Sequence, residues 1–273
     1  MGLEIKNDLL VGDNVKYIKS PTHGGEFKAG DLDTVIIHFT AGPINAAINT
    51  FSNAKNKVSA HLVVGRDGSI VQMVPFNIVG WHAGESSYNG RTGFNQYSLG
   101  IEIENAGEVT KSGNVFRAWY GSSFDASDVI EATHRNQHAP KFWHAYTEEQ
   151  IQTVFDICQK LIDQYDIKFI LGHEEIAPAR KTDPGPAFPL DRMRDRLLSG
   201  DRDKDEPERN PTAGVVAASK LNIRMSPNET ADKVTNPLQQ GAKVVVLEEK
   251  NGWYKVRTEV EGWVMAKFIE NQK

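Results

Sequence analysis

Long apolar runs and alternating stretches dominate the first two thirds of the chain. Thr34-Val35-Ile36-Ile37-His38 is apolar at consecutive positions, as a strand covered on both faces is. Val58 to Val64 and Ile70 to Val74, joined by the turn Arg66-Asp67-Gly68-Ser69, predict a hairpin. Residues 97 to 104 alternate, with Leu99, Ile101 and Ile103 on one face and Gly100, Glu102 and Glu104 on the other. From Thr147 the period lengthens. Ile151, Val154, Phe155, Cys158, Leu161 and Ile162 recur at helical spacing behind a Thr147/Gln150 capping-box pattern. A short strand, Phe169-Ile170-Leu171, then ends at Gly172-His173. Strands mixed with helices predict an α/β domain, a mixed β-sheet flanked by helices.

Beyond residue 198 the texture changes. Asp201 to Pro211 holds no apolar residue, so nothing offsets the entropy of ordering it and it reads as a solvated linker. The expected organisation is a domain over 1–198, a charged linker over 199–213 and a second domain over 214–273. In the second, Leu221–Arg224, Lys243–Glu249, Trp253–Arg257 and Gly262–Met265 are short strands separated by Pro, Asn and Gly, the texture of a small all-β barrel.

Composition narrows the partners. The 273 residues suffice for a sizeable core, and a net charge of −5 argues against nucleic acid or an anionic membrane as partner. Cys158 is the only cysteine, which excludes an intramolecular disulfide and a thiolate metal cluster. Any metal must use His and carboxylates. Met1 to Lys6 shows no apolar run for a signal peptide or membrane anchor, and Lys6 stands where a myristoylation motif has Ser or Thr. The expectation is a monomer made in the cytoplasm, without membrane insertion.

Three ligand-type residues end apolar segments or sit in tight turns: His38, His173 and Asp183. Two His and one carboxylate with an open fourth position suit catalytic zinc, whereas structural zinc takes four protein ligands. Singly they are ordinary, since a His at a strand end is commonly structural and Asp before Pro-Gly is turn chemistry. A rival pair, His134 and His138, has i, i+4 spacing but lacks a Glu beside the first His, and Ala139-Pro140 would end a helix there. It reads as a solvated polar segment.

The run His173-Glu174-Glu175-Ile176-Ala177-Pro178-Ala179-Arg180-Lys181-Thr182-Asp183-Pro184-Gly185-Pro186-Ala187-Phe188 resembles the C-terminal signature of the zinc-dependent N-acetylmuramoyl-L-alanine amidases, relatives of the peptidoglycan recognition proteins. Val58-Ser59-Ala60-His61, Trp81-His82-Ala83-Gly84 and Ser98-Leu99-Gly100-Ile101-Glu102 match further family motifs in order. The resemblance implies cleavage of the amide joining the muramic lactyl group to the first L-Ala of the stem peptide. It implies Zn²⁺ on His38, His173 and Asp183, with Glu102 as the catalytic glutamate and Lys181 as the catalytic lysine. Glu102 would carry the proton from water to the leaving amine, and Lys181 would stabilise the oxyanion, an effect of ~3 kcal/mol. Arg180 is a competitor for that role. His61, Trp81 and His82 are expected to line the cleft or support the metal, and Phe39 stands where some relatives have a polar, substrate-contacting residue.

Leu221 to Pro227, Gly252 to Val256 and Gly262-Trp263-Val264 resemble the bacterial SH3 module, which implies binding of cell-wall peptide, with Trp253, Tyr254 and Trp263 as barrel core or ligand contacts. The combined reading is a modular peptidoglycan hydrolase, an endolysin or a delivered toxin. Its alternatives are a non-catalytic peptidoglycan receptor, disfavoured because all three metal ligands are present, and a cytosolic amidase recycling soluble muropeptides, disfavoured because a soluble substrate needs no anchoring module.

Overall fold

The computed structural model describes residues 2–198, 212–227, 231–250 and 253–259. Its centre is a six-stranded mixed sheet in the order Phe169–Gly172, Thr34–Phe39, Ser98–Ile103, Leu62–Val64, Ile70–Gln72 and Val15–Tyr17. All neighbours run parallel except the hairpin of Leu62–Val64 with Ile70–Gln72. That hairpin is shorter than the apolar pattern suggests, because Ser59, Ala60 and His61 lie in a non-strand approach to it.

The two faces of the sheet do different work. One carries Val35, Ile37, Leu99, Ile101 and Ile103 onto Val154, Ile157, Cys158 and Leu161 of the long helix Glu148–Gln164. Each such side chain removed from water contributes roughly 1.5–3 kcal/mol. The helix starts at the expected capping box, in which the Thr147 hydroxyl accepts from the Gln150 N–H and the Gln150 side chain accepts from the Thr147 N–H. Opposite, Ile36, Ala83, Phe94, Leu171 and Ile176 form a small separate cluster. On this second face, at the carboxyl ends of the parallel strands, the sheet opens into a crevice, the usual ligand position in such folds.

A second sheet fills residues 108–144, a stretch for which the apolar pattern predicts no element. It is antiparallel, in the order Ser123–Phe124, Val115–Arg117, Glu108–Ser112, Pro140–His144 and Val129–Thr133. Ala106, Val109, Phe116 and Ala118 give it its own core. The loop after Thr133 carries His134 and His138, and no helix forms there. His138 is exposed as expected, but His134 is buried, stacked on Trp143, with Nε2 2.6 Å from a Glu174 carboxylate oxygen. The solvated reading is therefore corrected for His134, whose ring is held by an aromatic neighbour and a buried acid.

Toward the C-terminus, Thr212–Val215, Lys243–Lys250 and Trp253–Arg257 form a three-stranded sheet, and Lys220–Leu221 pairs with Leu238–Gln239. The expected strand over Leu221–Arg224 is reduced to that pair and an isolated bridge from Arg224 to Lys233. This unit touches the N-terminal part where the long helix begins. The Ser219 N–H donates to the Tyr146 carbonyl, and Asn222 donates its backbone and side-chain N–H groups to the Glu148 carboxylate at 2.9 and 3.1 Å. The charged stretch Asp201–Pro211, Gly252, and the Gly262–Met265 strand with Trp263 lie outside the described residues. Among the described residues no helix is long and apolar enough to cross a membrane.

Candidate metal centre and its cleft

His38 is the fifth residue of the buried strand Thr34–Phe39, and its register partner on the neighbouring parallel strand is Glu102, so both side chains leave the same face. On the other side of that strand, Phe169–Gly172 ends one residue before His173, which opens the short helix His173–Ile176. Asp183 returns on the following loop. A Cβ at Gly172 would lie 2.8 Å from Pro184 Cδ, so glycine there lets the loop close. The Glu174 N–H donates to the Asp183 carbonyl, and the Glu174 carboxylate accepts from the Gly185 N–H while holding His134 and Arg135.

Nδ1 of His38, Nδ1 of His173 and Oδ2 of Asp183 form a triangle with sides of 2.9 Å, and all three residues are buried. The outer contacts of the rings determine what those atoms carry. His173 Nε2 is 3.1 Å from the Ala83 carbonyl, an acceptor only, so the proton resides there and Nδ1 presents a lone pair. His82 Nε2 faces the Ser98 carbonyl at 3.2 Å and likewise holds its proton. His82 Nδ1 is then an acceptor, and it lies 3.0 Å from His38 Nε2, which donates to it. The lone pair of His38 is thus also on Nδ1. Two lone pairs and a carboxylate oxygen converge with no proton assigned between them, an arrangement that a cation satisfies.

Electrostatics agree with that donor set. Burial, then the neighbouring His173, lowers the His38 pKa to about 4, and burial with His38 and His61 close by holds His82 well below its ordinary value. Burial opposes ionisation of Asp183, but the two imidazoles set against its Oδ2 outweigh it and hold the carboxyl below the usual range. Neutral imidazoles with an ionised carboxylate are the protonation state in which such groups bind metal. Glu102 behaves oppositely. Burial, then the charge of Asp183, pushes its carboxyl well above the ordinary value, with Lys181 pulling back.

A cavity of about 440 Å³ opens on the triangle. It brings together His38, His82, Glu102, His173, Lys181 and Asp183. His61 and Trp81 do not line it. His61 is wholly buried, its Nδ1 accepting from the Gly100 N–H at 3.0 Å and its Nε2–H donating to the Ile78 carbonyl at 2.8 Å. Trp81 is joined to Ser59 through its backbone N–H and carbonyl. Arg180 is spent on the Ala83 and Glu85 carbonyls, so Lys181 is the cation at the cleft. Glu104 accepts from the backbone N–H groups of Ile44 and Arg66, at 3.0 and 3.1 Å. Pattern reasoning missed Trp119 and Tyr120, which reach the cavity from the turn between Val115–Arg117 and Ser123–Phe124, and Glu174, which braces the Asp183 loop from behind. An acid immediately after His173, inside the quoted signature, was the available signal for Glu174.

Residues 28–186 match the family model described as N-acetylmuramoyl-L-alanine amidase, and residues 219–270 match the bacterial SH3 domain. The chain is 39% identical over 174 residues to the 1,6-anhydro-N-acetylmuramyl-L-alanine amidase AmpD of Escherichia coli (strain K12), covering 62% of this chain and 74% of that one. Among solved structures, a selenomethionine derivative of AmpD is 29% identical with a TM-score of 0.49, covering 70% of this chain and 97% of that one. The E. coli amidase AmiD in complex with the substrate anhydro-N-acetylmuramic acid-L-Ala-D-gamma-Glu-L-Lys is 25% identical with a TM-score of 0.46, covering 70% and 64%.

Proposed function

The chain belongs to the N-acetylmuramoyl-L-alanine amidase family, and on that premise we propose how its residues divide the work and which form of the substrate it meets. It hydrolyses the amide between N-acetylmuramic acid and the L-alanine of the stem peptide. The observation that carries the residue assignment is the His38–His173–Asp183 triangle sharing one cavity with Glu102 and Lys181. The donor set, two neutral imidazole nitrogens and one carboxylate with the cavity beside them, fits Zn²⁺. Bound there, zinc would supply Lewis acidity toward the scissile carbonyl and lower the pKa of water.

The chain's own groups do the rest. Glu102 takes the proton of the attacking water and returns it to the leaving L-Ala nitrogen. Its raised pKa brings acceptance and donation closer to neutral pH, where a single carboxyl can do both. The Lys181 ammonium faces the oxygen on which negative charge develops. His82, anchored on the Ser98 carbonyl, keeps the His38 lone pair directed at the metal position.

The proposed organisation is a catalytic domain over 1–198, a linker over 199–213 and a wall-binding module over 214–273. The bacterial SH3 match supports polymeric wall as the substrate, because a weak second binding module raises the local enzyme concentration on a polymer. A second reading, hydrolysis of soluble anhydro-muropeptides, is favoured by the substrate in the name of the AmpD relative. The endolysin reading gains no support from the relatives named above. Mass spectrometry of purified sacculi after digestion tests the proposal: intact stem peptides should appear with unclipped glycan, chelation should abolish release, and added Zn²⁺ should restore it. Full activity without metal would overturn the mechanism. Cleavage of soluble anhydro-muropeptide with no action on sacculi would select the second reading.

A further inference from the structure

Past Trp119 the cleft continues. A second cavity of about 460 Å³ shares Phe39, Ala41 and Trp119 with the catalytic one and adds Glu108, Thr110 and Arg117 from the second sheet. Its aromatic walls are fixed. Trp119 is 79% exposed, yet its indole N–H donates to the Ala41 carbonyl at 2.7 Å and Tyr120 packs against it edge-on. The Phe39 ring lies over the backbone of Gly107, where φ is +72° and a Cβ would come within 2.7 Å of Phe39 Cζ. An indole that is rigid and yet left in water is a surface prepared for a partner.

The charges are unequal. Glu108 is paired with Lys141 at 2.7 Å, whereas no acidic group among the described residues pairs with Arg117. The groove therefore offers an apolar floor of alanine and aromatic side chains and one uncommitted guanidinium, next to the place where the amide is cut.

Resting on the amidase reading, we propose that this groove is the subsite for the stem peptide and that Arg117 receives the free α-carboxylate left when the second residue, D-glutamate, is linked onward through its γ-carbon. The chemistry favours peptide over glycan. The leaving side of the scissile bond begins with an alanine methyl, which an apolar floor accepts. An extended chain advances about 3.3–3.6 Å per residue, so the glutamate lies one to two residues out from the cut, and the groove adjoins the catalytic cavity at Phe39, Ala41 and Trp119. A carboxylate is what a guanidinium binds through paired hydrogen bonds, whereas a neutral sugar brings no charge to it.

The test uses two tripeptides, L-Ala-γ-D-Glu-L-Lys and its D-isoglutamine counterpart, in which that carboxylate is an amide. Calorimetry on the full chain should give at least ~10-fold tighter binding of the acid form, the scale of one charge-assisted hydrogen bond. Arg117→Gln should bring the two affinities within about two-fold, Arg117→Lys should keep part of the difference, and added salt should shrink it. Equal affinities in the unaltered protein, or a ratio that Arg117→Gln leaves intact, would overturn the proposal. So would a Trp119→Ala defect confined to ligands with additional sugars, which would assign the groove to glycan. Binding is read without turnover, so failure to hydrolyse muramyl-linked versions of the same peptides would count against the amidase reading alone.

Discussion

His61 provides a direct test of the neutral, hydrogen-bonded histidines behind the site. It is fully buried, and burial lowers its pKa to about 4 although the contact to the Ile78 carbonyl pulls the other way. Against an ordinary value of 6.5, and at about 1.4 kcal/mol per pKa unit, that difference is worth roughly 3 kcal/mol. Below pH 6.5 the unfolded chain binds a proton that the folded chain refuses until near pH 4. Stability from this residue is complete above 6.5 and drains away as pH falls toward 4. His61→Asn removes the titration while leaving an oxygen near the Nδ1 position to accept from Gly100. It forfeits the bond to Ile78 and should cost ~1–2 kcal/mol at pH 8. Urea unfolding of both proteins in chelator between pH 8 and 4 is the assay. His38 titrates in both and cancels in the difference, and His82 largely does, because His61 stands only third, after burial and His38, among the causes of its lowered pKa. The unaltered protein should lose ~3 kcal/mol more on acidification, so the two stability curves should cross between about pH 6 and about pH 5 and leave the variant the more stable at pH 4. Parallel curves would refute the account.

Two further outcomes separate chemistry from support. Glu102→Gln should keep zinc and fold while losing at least ~100-fold in turnover on a defined muramyl-peptide, whereas Glu104→Gln, altering the acceptor for Ile44 and Arg66, should mainly lower the melting temperature. His82→Ala should weaken zinc affinity ~10- to 100-fold in a chelator competition, with unchanged far-UV circular dichroism, because His38 loses the acceptor that fixes its tautomer.

Much of the centre is legible in the chain because parallel strands report their ends. A run of buried apolar residues that terminates in a candidate ligand, as at His38 and just before His173, places that residue at the sheet's carboxyl edge. The alternation of 98 to 103 puts Glu102 on the face opposite Leu99 and Ile101, which the register with His38 turns into proximity. The second sheet was illegible for a corresponding reason. Glu108–Ser112 buries only Val109, and Ser123–Phe124 is two residues long, so no periodicity develops and the pairing is decided by long-range contacts. His134 was misread because its burial depends on Trp143 and Glu174, which are distant in sequence. His61 sits in a family motif, but the motif does not say whether the ring faces the cleft or the interior.

The stretch Ser98 to Glu102 shows why sequence motif and metal chemistry are one problem in this fold. Its first residue supplies the carbonyl that holds His82, and its last supplies the carboxyl proposed as the base. Between them, Gly100 meets two demands. Its N–H donates to His61, and its missing side chain leaves the space where His82 lies, since a Cβ there would fall 2.4 Å from His82 Cγ. An alanine at 100 would displace His82, free His38 Nε2 from its acceptor and release the constraint that keeps the lone pair on Nδ1. One methyl group on a strand that contributes no ligand would thereby act on the metal position two hydrogen bonds away.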